Sequence, residues 1–137
     1  MKLVVDTNIL FSFFRENPVR FIIINSKSFG IELFTSEYNI DELRKNKSDL
    51  FKYSGLNSEQ IGSVIDELNK HISSVSPKEY KQFEQEAKQV SPHDKDAPVF
   101  ALALKIKADV WSNEPRLKKQ SVVKVYSTED LRKLIGF

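Results

Sequence analysis

Cysteine is absent from the 137 residues, which excludes disulfides, thiolate metal sites and cysteine nucleophiles. Any metal would have to be held by oxygen or imidazole. Histidine is scarce: His71 and His93 have no partner at metal-ligand spacing, and neither sits in a nucleophile and base arrangement. Long apolar runs are missing too. None approaches the roughly 20 residues needed to cross a bilayer, and the N-terminus lacks a signal-peptide layout, so a soluble, cytoplasmic protein with no membrane partner is expected. Nor does one sign of charge dominate. With 21 basic and 19 acidic residues the formal charge is +2, too balanced to announce a nucleic-acid binder. The hydrophobic share of 40% is enough for one domain with a real core.

What is present alternates between two periodicities. Lys2-Leu3-Val4-Val5 suits a strand covered on both faces, and it delivers Asp6, Thr7 and Asn8 to its carboxyl end. In open parallel sheets the ligand crevice lies just beyond such ends, although Asp6 equally suits the cap of a helix starting near Ile9. Ile9, Leu10, Phe13 and Phe14 recur at helical spacing until Pro18, and a second helical run covers 19–26. Gly30 precedes a short strand over 32–35, and Ser36 caps a helix over 37–47. Asn57 and Gln60 form a capping-box start for a helix through Ile61, Val64, Ile65, Leu68 and Ile72, with a third strand over 72–75. Ser76-Pro77-Lys78-Glu79 opens a helix ending near Val90. A polar turn over 91–96 leads into a helix over 97–104 that is apolar on every side. A strand over 108–112, a short helix or turn over 114–119, a strand over 122–126 and a terminal helix capped by Ser127 with Asp130 complete the chain. This alternation predicts a layered α/β fold with a mainly parallel sheet.

In such a layout four acids meet at one sheet edge: Asp6, Glu42, Asp96 and Glu114, with Asp94 in reserve. Clustered carboxylates without thiolate select hard cations, chiefly magnesium or manganese. Two such ions about 3.5 to 4 Å apart can activate a water and stabilise the leaving oxygen of a phosphodiester. Without a cation the acids would repel and raise one another's pKa values. Asp96 has a structural role open to it as a helix N-cap, and Glu42 lies off the Ile40 and Leu43 stripe, as a plain solvent-facing glutamate would. Asp94 reads as a turn residue, Asp41 as a surface neighbour of Glu42, and Asp109 as strand entry.

Four segments carry a resemblance: Val4-Val5-Asp6-Thr7-Asn8, Asp41-Glu42-Leu43, Asp94-Lys95-Asp96-Ala97-Pro98 with Ala101-Leu102-Ala103, and Trp111-Ser112-Asn113-Glu114. In this order and spacing the chain resembles the PIN-domain family of metal-dependent ribonucleases, which includes the VapC-type toxins and several RNA-processing nucleases. The resemblance implies a single nuclease domain over 1–137, in three α/β/α layers around a parallel five-stranded sheet of order 3-2-1-4-5. It also implies that Asp6, Glu42, Asp96 and Glu114 are the catalytic, metal-holding quartet, with Asn8 and Ser112 orienting the ligands. Magnesium or manganese would be the cofactor, RNA the substrate, and the products would carry 5′-phosphate and 3′-hydroxyl ends. One departure stands out: the family usually has aspartate where this chain has Glu114.

Two basic clusters, Arg44, Lys45 and Lys47 and then Arg116, Lys118 and Lys119, read singly as solvated faces. Together with Arg15, the residues Arg44, Lys45, Arg116 and Lys118 are candidates to steer an RNA backbone toward the acids. Trp111 and the Phe11, Phe13 and Phe14 group read as core, as do Leu131, Leu134, Ile135 and Phe137, unless they form a homodimer face. A protein inhibitor of the antitoxin kind is the further partner the resemblance admits. The alternative function is a PIN-like binding or structural module whose turnover the Glu114 change has removed. A haloacid-dehalogenase phosphatase would need a second acid two residues after Asp6, where Asn8 stands, and a receiver domain would need adjacent early acids that are absent.

Overall fold

In the computed structural model, which describes residues 1–137, a parallel sheet lies between two helical layers. Its strands are β1 (Lys2–Val5), β2 (Glu32–Ser36), β3 (Ile72–Val75), β4 (Asp109–Trp111) and β5 (Val125–Tyr126), in the order β3-β2-β1-β4-β5. The expected fold and strand order are therefore present. β1 occupies the centre, with Val4 beside Phe34 on one flank and Val110 on the other. A run of apolar residues belongs there because both faces of a central strand are covered.

Strand alternation divides the core into two. Leu3, Val5, Leu33, Ile72 and Trp111 pack with the helices α1 (Thr7–Ser12), α2 (Pro18–Ile24), α3 (Glu37–Lys45), α4 (Lys47–Ser54), α5 (Ser58–Asn69) and α9 (Thr128–Ile135). Val4, Val110 and Val125 point the other way, towards α6 (Pro77–Tyr80), α7 (Glu84–Val90) and α8 (Ala97–Ile106). The small residues Ala97, Ala101 and Ala103 let α8 lie close against the sheet, and all three are buried. Trp111 is wholly buried, with its indole N–H donated to Thr128 Oγ1 at 3.1 Å, so it is core and not a stacking platform. Phe13, Phe14 and Leu131 are core as well, whereas Leu134 and Phe137 are exposed.

Several boundaries differ from those the periodicity predicts, each for a local reason. The first helix starts at Thr7, two residues earlier, because Asp6 Oδ1 accepts the Thr7 amide at 2.8 Å. The helix expected over 37–47 ends at Lys45, and α4 follows at once as an unforeseen element: its leading Asn46 makes no side-chain cap and Leu50 is its one buried residue, so neither sequence signal was there to read. The helix expected over 77–90 is broken by a 3-10 turn at Lys81–Phe83. The last strand shrinks to two residues because the Gln120 side chain takes the Val122 and Val123 amides at 2.9 Å each, donors a longer strand would have given to the sheet.

α9 is anchored by the predicted cap. Ser127 Oγ accepts the Asp130 amide, the Asp130 carboxylate accepts the Ser127 amide at 2.9 Å, and Lys118 pairs with the same carboxylate. Lys118, then the Ser127 amide, hold the Asp130 carboxyl down at about 2. A folded pKa below the unfolded value means stabilisation that is present above about pH 4 and lost as the pH falls towards 2. Asp130→Ala is expected to lower stability at neutral pH by about 1 kcal/mol, and the gap to wild type in thermal melts should narrow near pH 2.

Candidate active site

The carboxyl ends of β1, β2 and β4 and the head of α8 surround one cleft of about 490 Å³. Asp6, Glu42, Asp96 and Glu114 all line it, and so does Asp94. The four acids come from four separate segments, and the parallel topology brings them together because every strand ends on this edge.

Asp6 is the most constrained. Its amide donates to the Trp111 carbonyl, extending the β1–β4 ladder by one residue, and its two carboxylate oxygens accept from Thr7 N at 2.8 Å and Ser112 Oγ at 2.6 Å. Ser112 is buried, and its hydroxyl oxygen also accepts the Glu114 amide at 3.1 Å, so one hydroxyl fixes the geometry of two acids. Burial pushes the Asp6 carboxyl above its ordinary range. The hydrogen bonds from Ser112 and Thr7 oppose that shift, and the nearby Asp96 charge adds to it. Asp6 takes part in no ion pair.

Asp96 is only 7% exposed. Although it precedes α8, its side chain does not cap that helix, contrary to the structural role its position suggested. Its carboxylate is instead held by Arg116, whose Nε lies 3.0 Å from Oδ2 and whose Nη2 lies 3.4 Å from Oδ1. Nη1 of the same guanidinium reaches Glu114 Oε2 at 3.5 Å. A buried carboxylate needs such a partner, and the planar fork of arginine supplies it in two places at once. Hydrogen bonding to Asp96 raises the Arg116 pKa above its ordinary value.

Glu42 extends from the middle of α3, one turn after Asn39. Asn39 also lines the cleft. It is buried, and its amide donates to Thr35 Oγ1 at 3.1 Å, while Thr35 donates to the Val5 carbonyl beneath Asp6. This polar thread was not foreseen, although Thr35 and Asn39 stand four apart as the chain leaves β2 for α3, a spacing that lets them meet. Tyr38 stands beside Glu42, whose carboxylate, by hydrogen bonding and by charge, raises the phenol above its usual value. Asn8 lines the cleft with no hydrogen bond from its side chain to the acids.

Of the five basic candidates only Arg116 lines the cleft. Arg15 lies over the Tyr53 ring, Arg44 and Lys45 are exposed in the last turn of α3, and Lys118 is committed to Asp130. His71 pairs with Glu67, and His93 accepts the Lys95 amide, so neither histidine enters the site.

The donors on this cleft are carboxylates, amides and hydroxyls, a set that suits a hard cation. As the side chains stand, no three acids close around a common point, and Arg116 supplies positive charge to two of them. Asp6, partly buried and without an ion-pair partner, is the carboxylate in most need of a cation.

A profile of the PIN domain matches residues 4–134. No curated protein sequence matches the chain significantly. Among solved structures the chain is similar to VapBC2 from Rickettsia felis, bound to a DNA fragment from its promoter, with 15% identity and a TM-score of 0.67 over 93% of this chain and 98% of that one. It is also similar to VapBC-1 from nontypeable Haemophilus influenzae, with 18% identity and a TM-score of 0.65 over 94% of this chain and 99% of that one.

Proposed function

Because the chain belongs to the PIN-domain family, we propose that it is an endoribonuclease that hydrolyses RNA phosphodiesters with a divalent cation, magnesium or manganese, held by the acidic cleft. One observation carries this reading: a partly buried carboxylate without an ion-pair partner, at the end of the central strand, shares a single cleft with Glu42, Asp96 and Glu114. Asp6 and Asp96 would be the principal ligands, with Glu42 and Glu114 completing the set. A cation bound there supplies activation of water and neutralisation of charge on the phosphodiester.

The remaining work falls to the chain. Ser112 and Thr7 hold the Asp6 carboxylate in one orientation, leaving on each oxygen a lone pair for a further partner. Ser112 also fixes the backbone from which Glu114 reaches the cleft. Glu114 has one more methylene than the aspartate expected there, and its long side chain turns back to Arg116.

RNA is the proposed substrate. The similarity to VapBC structures supports a second protein of the antitoxin kind, and a homodimer, as partners in a toxin role, with RNA processing the other role open to the same chemistry. The engagement of Asp96 and Glu114 by Arg116 favours a second reading, in which the fold binds nucleic acid or serves a structural purpose without turnover.

Incubation with single-stranded RNA separates the two. The enzyme reading expects cleavage with magnesium or manganese that stops on adding chelator, alongside a rise in melting temperature on metal addition. Binding of RNA with no cleavage under any divalent cation would select the second reading.

A further inference from the structure

Next to the acidic cleft is a second cavity of about 330 Å³, which shares Tyr38, Asp94 and Pro98 with it. Tyr38 stands at the junction. It is 52% exposed, unusual for a large aromatic ring, and its backbone is held at the start of α3, where its amide donates to Ser36 Oγ at 3.1 Å. Tyr80 lines the same cavity from α6 and is almost wholly buried, its hydroxyl 2.7 Å from that same Ser36 oxygen. A single buried serine thus meets both tyrosines, one at its backbone amide and the other at its hydroxyl. With the Tyr80 hydroxyl satisfied internally, what that residue offers the cavity is carbon surface, and Ala97 and Pro98 add to it.

The rim is polar and carries Glu84, Lys88 and Asp94. Two carboxylates against one ammonium make it a poor host for phosphate. A flat, neutral group with hydrogen-bonding edges fits better: its faces would meet aromatic and aliphatic carbon while its edges met the rim. The volume is at the lower end of the roughly 300 to 1,000 Å³ typical of ligand pockets, which suits one small group and excludes a duplex.

Building on the nuclease reading above, we propose that this cavity is a nucleobase subsite. An unpaired base of the strand whose phosphodiester lies at the acids stacks on Tyr38, and the shared wall sets the distance between base and scissile bond. Base-paired strands cannot present a base in this way, so the substrate class is single-stranded RNA or a loop. Tyr38 has two faculties, its ring and its phenol beside Glu42, and the ring is the one the subsite uses.

The test is the affinity of a fluorescently labelled single-stranded RNA for wild type, Tyr38→Ala and Tyr38→Phe, read by anisotropy with calcium in place of magnesium. Circular dichroism checks that each variant is folded. Tyr38→Ala is expected to weaken binding about tenfold, and Tyr38→Phe to stay within about twofold of wild type, as stacking alone requires. Equal affinity of Tyr38→Ala and wild type, an equal loss in both variants, or no binding of single-stranded RNA by wild type would each overturn the subsite. Metal-dependent cleavage by wild type beside unchanged binding in Tyr38→Ala would remove the subsite and leave the nuclease reading intact. Loss of affinity in Tyr38→Ala with no cleavage by wild type would remove the nuclease reading and keep the base site.

Discussion

Asp6→Asn is expected to lower metal-dependent RNA cleavage by at least about a hundredfold while leaving the fold intact, as measured by cleavage time courses and circular dichroism. The amide has the size of the carboxylate. Its oxygen still accepts from Thr7, and its NH₂ can donate to Ser112 Oγ in reverse of the native bond, so what the substitution removes is charge. Stability should move the opposite way to activity. Burial raises the Asp6 carboxyl above its unfolded value, so the folded protein holds that proton more tightly than the unfolded chain does. The contribution of this group is favourable at low pH and is lost as the pH rises through its folded pKa. At neutral pH, without metal, Asp6→Asn should therefore melt above wild type. Manganese should then raise the melting temperature of wild type and leave the variant nearly where it was. Full activity in the variant would take Asp6 out of the site.

Arg116→Ala is expected to tighten manganese binding on the order of fivefold to tenfold in titration calorimetry, and to lower the melting temperature of the metal-free protein. Both effects come from one geometry. In the absence of metal the guanidinium is the positive charge for Asp96 and Glu114, so its loss leaves a buried carboxylate uncompensated. A divalent cation seeks the same oxygens, and ligand and side chain then compete, which a cation binding without a rival does not have to overcome. The two changes should thus be linked: the less stable the metal-free variant, the larger its stabilisation on loading. Weaker manganese binding in Arg116→Ala would show instead that the guanidinium assists the cation.

The convergence of acids was legible because it rests on short-range signals, whereas the sheet order is what the resemblance to the PIN-domain family implied and periodicity only permits, since strand order is set by long-range pairing. The apolar run before Asp6 dictates a covered strand, and the polar turn before Asp96 dictates a helix start on the same edge. Ser112, read as a neighbour of the acids, is in hydrogen-bond contact with Asp6, 106 positions away. The partner of Asp96 was harder. Arg116 was read as a residue facing RNA, since in sequence it belongs to a run with Lys118 and Lys119; only the turn at Pro115–Lys119 sends Arg116 into the cleft and Lys118 to Asp130. Arg15 shows the same limit, for a charge near Asp6 in sequence is carried away by the helix between them to the Tyr53 ring. Asn39 escaped notice because nothing in a helical wheel distinguishes a residue facing a cleft from one facing solvent.

The place of β1 between β2 and β4 has a consequence for how the protein comes into being. Synthesis proceeds from Asp6 towards Ser112, and the Val5–Trp111 pairing that frames the cleft joins the two ends of that interval. A chain emerging from the ribosome carries Asp6 early but has no Ser112 to orient it, no Glu114 and no Arg116 until most of its length has been made. Pairings so distant in sequence form late and slowly. The acids thus remain scattered through translation, and a chain cut short anywhere before β4 has no assembled cleft.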